Sequence, residues 1–130
     1  MFFAKVNLKF QDSMTGVTGG LHNISMNNII EDFCVAWQML DAELIIKHLD
    51  DSFVYDSQWV FESLDCNGYK DYIRGKFATL KKNDIRINAS IVEDPYWGGQ
   101  MLVLGQNGQS FYYRIKVKNG KVIKGDLCMF

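Results

Sequence analysis

Residues 101–125 read MLVLGQNGQSFYYRIKVKNGKVIKG, and this stretch decides the fold. Two Asn-Gly pairs, Asn107-Gly108 and Asn119-Gly120, interrupt runs of apolar and β-branched residues. Asn-Gly is the pair favoured by a two-residue hairpin, whose central positions both need positive φ. The stretch therefore predicts Met101 to Gly105, Phe111 to Lys118 and Val122 to Phe130 as consecutive antiparallel strands. Working upstream, Ile85, Ile87, Ala89 and Ile91 alternate with Arg86, Asn88 and Ser90. That is a fourth strand, and the turn Asp94-Pro95-Tyr96-Trp97-Gly98-Gly99, which holds the chain's one proline, separates it from the third. The second half of the chain is thus a four-strand meander.

Further upstream the period changes. Tyr69, Tyr72, Ile73, Phe77 and Leu80 form one helical stripe after Asn67-Gly68, ending at Lys81-Lys82-Asn83, where the helix dipole favours cations. Phe53 to Ser57 and Trp59 to Leu64 read as two strands, rich in aromatic residues. Ile29, Ile30, Phe33, Trp37, Leu40 and Leu44 recur at three- and four-residue steps from Asn27 onward, a first helix, followed by a short one over Glu43 to Leu49. Residues 1–26 read as an extension: Ala4, Val6, Leu8 and Phe10 alternate as a strand, and Gln11 to Gly20 form a connector rich in Gly, Ser and Thr. Helices segregated from antiparallel strands mean α+β. The sheet must curl around the three helices to cover their stripes, leaving a concave, apolar face that can hold a ligand.

Composition narrows the function. A chain of 130 residues supports one domain of ordinary size, here 27–130. Its 48% apolar and 22% charged residues fit an ordinary globule, and a net charge of −1 gives no field to attract nucleic acid or an anionic membrane. No apolar run approaches a bilayer span. Three cysteines without CxxC spacing (Cys34, Cys66, Cys128) predict reduced thiols and a cytoplasmic setting. The glycines show neither GxGxxG nor P-loop spacing, and His22 and His48 lack partners at ligand spacing, so neither cofactor nor metal is expected.

The segments Ala36-Trp37, Leu49-Asp50-Asp51-Ser52-Phe53-Val54-Tyr55-Asp56, the helix after Gly68 and the turn Asn119-Gly120-Lys121-Val122-Ile123 together resemble the nuclear transport factor 2-like superfamily over residues 27–130. That superfamily includes ketosteroid isomerases and polyketide cyclases. The resemblance implies a cystatin-like cone: a curved, mostly antiparallel sheet around helices, with a cavity at its wide end. It also implies a homodimer paired through sheet faces. No single activity follows, because this fold hosts enzymes and binding modules alike.

Asp56 is the acid whose surroundings suit proton transfer. It lies mid-strand among Tyr55, Ser57, Trp59 and Phe61, where desolvation would raise its pKa. By position after the acidic pair it also matches the general base of ketosteroid isomerases. The rest of that constellation departs from the family pattern: Phe33 stands where a tyrosine donor is needed, and Tyr112 stands near the place of the second acid. The candidate catalytic residues are Asp56 and Tyr112, and the candidate pocket lining is Phe33, Trp37, Tyr55, Trp59, Trp97 and Tyr112. Alternation alone leaves open which face of the strand Asp56 occupies. Asp50-Asp51 reads as turn chemistry between a helix and a strand, Cys34 as helix core and Cys66 as exposed. The expected function is a module that binds an apolar small molecule or dimerises. The alternative is a cofactor-free isomerase, cyclase or dehydratase with Asp56 as proton shuttle and Tyr112 or Tyr55 as donor.

Overall fold

The computed structural model describes residues 21–57 and 62–129. The expected strand over residues 1–10, its connector up to Gly20 and Trp59 lie outside them. In chain order the elements are α1 (Leu21–Met39), α2 (Glu43–Ile46), β1 (Leu49–Ser57), β2 (Leu64–Asp65), α3 (Cys66–Lys82), β3 (Asn88–Glu93), β4 (Gln100–Gln106), β5 (Gln109–Lys118) and β6 (Lys121–Met129). The strands form one six-stranded sheet ordered β2-β1-β6-β5-β4-β3. Every neighbouring pair is antiparallel except β1 and β6, which run parallel. The architecture is α+β, with a curved sheet that does not close into a barrel.

Both Asn-Gly turns form as the sequence requires. Asn107 and Gly108 have φ of 53° and 79°, Asn119 and Gly120 of 52° and 76°, and the flanking pairs are Gln106↔Gln109 and Lys118↔Lys121. Asparagine tolerates the left-handed region, and glycine enters it without a Cβ penalty.

The first helix starts at Leu21, six residues before the expected Asn27. After Gly19-Gly20 neither glycine nor proline interrupts the chain, so the helix extends back to that breaker and takes in His22. It buries Ile29, Ile30, Phe33, Cys34, Ala36 and Trp37. It ends where Leu40 turns to φ 55° and the Asp41 N–H donates to the Ala36 carbonyl at 2.9 Å, a left-handed closure.

The second helix is shorter than expected, and β1 begins at Leu49 rather than Phe53. Leu49 pairs with Val122 and Val54 with Lys124, so the strand advances five residues against two of β6. The excess loops out at Asp50-Asp51-Ser52, where Asp50 Oδ2 accepts from the Ser52 N–H at 3.0 Å and the Ser52 hydroxyl at 2.6 Å. This is the turn chemistry expected of the acidic pair.

Asp65 caps α3 by accepting from the Gly68 N–H at 2.8 Å, and Lys81 and Lys82 occupy its last turn. Cys66, expected to be exposed, is buried: as the first helical residue it turns toward the core.

The helices pack against one face of the sheet, which carries Phe53 and Tyr55 from β1, Leu102 and Leu104 from β4, Tyr113 and Ile115 from β5, and Val122 and Leu127 from β6. A layer of rings fills the space between. Tyr55 and Tyr69 centroids lie 4.6 Å apart, Phe53 and Tyr69 5.0 Å, and Trp37 and Phe77 4.8 Å in an edge contact. Gly125 makes room for this layer, since a Cβ there would stand 3.0 Å from Tyr113 Oη and 3.1 Å from Phe53 Cζ.

Candidate functional site

The ring layer stops short of the end of the sheet marked by the β4–β5 hairpin, and a half-open cavity of about 400 Å³ remains there. Its walls come from every layer of the fold. Helix α1 contributes Trp37, α3 contributes Tyr72 and Lys76, and Ile87 lies just before β3. Leu104, Phe111 and Leu127 come from three adjacent strands, while Gln106 and Gln109 flank the hairpin.

The placement follows from local patterns. Tyr72 and Lys76 are four residues apart and therefore share one ridge of α3, beside the fully inward ridge of Tyr69, Ile73, Phe77 and Leu80. Leu104 and Phe111 are directly opposed across the hairpin, on the same face as the opposed pair Leu102 and Tyr113. Half of the wall is thus set by sheet alternation and half by helical spacing.

Next to Tyr72 of the cavity wall lies a group of buried tyrosines. Tyr69 and Tyr113 share a 2.6 Å hydrogen bond in the solvent-free interior. The Tyr55 hydroxyl is hydrogen-bonded to Ser57 and to Tyr72. Burial pushes all four phenols above their ordinary range, so they stand neutral at physiological pH. Tyr72 belongs both to this group and to the cavity wall. The cavity wall is thus largely apolar, Tyr72 is the one of these phenols that lines it, and among the described residues no carboxylate does. The Trp37 indole N–H is buried and has no hydrogen-bond partner among the described residues.

The residues singled out from sequence separate into three places. Trp37 lines the cavity. Phe33 and Tyr55 are fully buried in the core, with their rings 6.0 Å and 6.2 Å from that of Tyr113. Asp56, Tyr112 and Trp97 belong to the opposite, outer face. Tyr55 and Tyr113 point inward, so the next residue along β1 and the preceding one along β5 point outward. Asp56 there accepts from the Ser63 hydroxyl and pairs with Lys124 at 3.5 Å, with about 40% of its side chain exposed. A proton shuttle by Asp56 in the cavity therefore has no geometric support.

The same outer face holds a cation cluster around one indole. The Lys116 ammonium lies 4.8 Å from the Trp97 ring, Lys124 5.9 Å, and the Arg114 guanidinium 5.7 Å. Arg114 also covers Tyr96 and forms a buried ion pair with Asp94 at 3.1 Å. Asp94 in turn accepts from the Tyr96 and Trp97 N–H groups, fixing the turn.

His48 has a partner that sequence spacing did not reveal. Its Nε2 lies 2.7 Å from Asp32 Oδ2, which also pairs with Lys47 at 3.2 Å. The two residues are sixteen positions apart, Asp32 on α1 and His48 just after α2, so only the packing of these elements brings them together. No cluster of three or more metal-ligating side chains occurs among the described residues.

No family model and no curated protein matches the chain. Solved structures do. A SnoaL-like protein of unknown function from Burkholderia thailandensis superposes with a TM-score of 0.64 at 15% identity, covering 84% of this chain and 96% of that one. An NTF2-like protein of unknown function from Cytophaga hutchinsonii gives 0.55 at 9% identity, covering 82% and 89%. An LEH-like epoxide hydrolase from M. tuberculosis gives 0.52 at 15% identity, covering 78% and 80%. At these identities the likeness is one of architecture, and the chain has the nuclear transport factor 2-like fold.

Proposed function

We propose that this protein is a binding module whose cavity takes up an apolar small molecule. The observation that carries this reading is the cavity of about 400 Å³ walled by Trp37, Ile87, Leu104, Phe111 and Leu127. A volume of that order accommodates a small ring system, and burying such a ligand against these side chains contributes roughly 25 cal/mol per Å² of apolar surface removed from water. Three unpaired cysteines suit the reducing cytoplasm, where we place the protein. The test is a fluorescence titration with N-phenyl-1-naphthylamine, a neutral apolar probe. Saturable one-to-one binding is expected, and Gln106→Trp, which sets an indole across the cavity, should abolish it without lowering the melting temperature. Absence of saturable binding, or equal binding by the filled variant, overturns the reading.

A second reading, self-association through the outer sheet face, is favoured by Val54, Val92 and Tyr96, which are exposed there; Tyr96 is 77% exposed. Light scattering at micromolar concentration should then give twice the 15.0 kDa chain mass, and a monomer mass contradicts it.

A further inference from the structure

The cavity has one charged side chain among its described lining residues, Lys76, and that charge has no ion-pair partner among the described residues. The acids of the ion pairs in the described structure are engaged elsewhere: Asp32 with Lys47 and His48, Glu43 with Arg74, Asp94 with Arg114, and Asp56 with Lys124. Lys76 donates no hydrogen bond to any described residue. Around it stand an apolar wall, the Tyr72 hydroxyl one turn away on the same ridge, and the Gln106 and Gln109 side chains at the mouth. Burial holds its ammonium below the usual lysine range, and no neighbouring carboxylate draws it back up. A half-buried cation facing an apolar cavity without a counter-ion is a costly arrangement that an anionic ligand would relieve.

We propose that the cavity selects a flat apolar molecule bearing a single carboxylate, whose ring lies against Trp37 and Phe111 and whose carboxylate pairs with the Lys76 ammonium. This deepens the binding reading above and rests on it. Pairing supplies the missing partner for Lys76, and the rings supply the apolar contact that water cannot. The two glutamine amides have donors to spare for the second carboxylate oxygen.

The experiment compares 2-naphthoate with 2-naphthamide, which keeps the shape and removes the charge, each displacing N-phenyl-1-naphthylamine. Wild type should bind the carboxylate at least about tenfold more tightly than the amide, the size of one charge-assisted hydrogen bond. Lys76→Met should remove that preference, so that the carboxylate and the amide bind alike, and Lys76→Arg should keep it. If the neutral probe binds but the carboxylate gains nothing over the amide, or Lys76→Met changes nothing, the lysine only extends to solvent and the anion proposal fails alone. If the neutral probe does not bind either, the cavity reading fails with it.

Discussion

Removing the Tyr113 and Tyr69 hydroxyls together should cost less than the sum of removing each alone. The two phenolic oxygens lie 2.6 Å apart, and neither side chain has any solvent exposure. In Tyr113→Phe the ring stays in place, and the Tyr69 hydroxyl loses its partner in a site that water does not reach. A buried hydroxyl left unpaired costs about 1–3 kcal/mol. For a domain of this size each kcal/mol lowers Tm by roughly 3–5 °C. Tyr69→Phe should behave in the same way, since it orphans Tyr113. The double variant leaves no orphan and should be less destabilised than the sum of the singles by about 1–2 kcal/mol. Urea unfolding of the four proteins measures this directly, with unchanged m-values as the check on two-state behaviour. Additive single and double effects would refute the reasoning, because they would mean that the hydroxyls do not depend on one another.

Glu31 carries a pH dependence. Burial, then the charge of neighbouring Asp32, pushes its carboxyl up to about 7. The folded protein then keeps a proton that the unfolded chain has released, so this group's contribution falls as pH rises from about 4.5 to 7 and stays lost above. Glu31→Gln should flatten the melting temperature across that window and raise it at pH 8. Asp56→Asn should change stability by no more than about 1 kcal/mol, the range of an exposed ion pair, and leave probe binding in the cavity unchanged. A large loss of binding in that variant would return Asp56 to the site.

The parts of the fold that were legible in the sequence are those with a local cause. The Asn107-Gly108 and Asn119-Gly120 turns, the alternation from Ile85 to Ile91 and the stripe from Tyr69 to Leu80 each depend on residues within one turn or hairpin. The candidate site was less legible for a matching reason. Aromatic residues mark both the core and a pocket, so Phe33 and Tyr55 were indistinguishable from Trp37 until their depth was known. The face of Asp56 depends on the parallel register between β1 and β6, which the loop-out at Asp50-Asp51-Ser52 displaces and which spacing does not encode. Nothing in its residue type singles out Lys76, because a lysine on a helix reads as solvated. The available signal was its spacing: it sits four residues after Tyr72, on the flank of the buried stripe.

The most direct test of the central claim is the map of amide and indole resonances that move when N-phenyl-1-naphthylamine is added to the labelled protein. The buried, unpartnered Trp37 indole N–H is a reporter in the cavity wall itself. Ligand in the cavity should give shifts confined to Trp37, Tyr72, Lys76, Gly105, Gln106, Gln109 and Phe111. Shifts centred on Tyr96, Trp97 and Lys116 of the outer face, or no shifts at all, would contradict it.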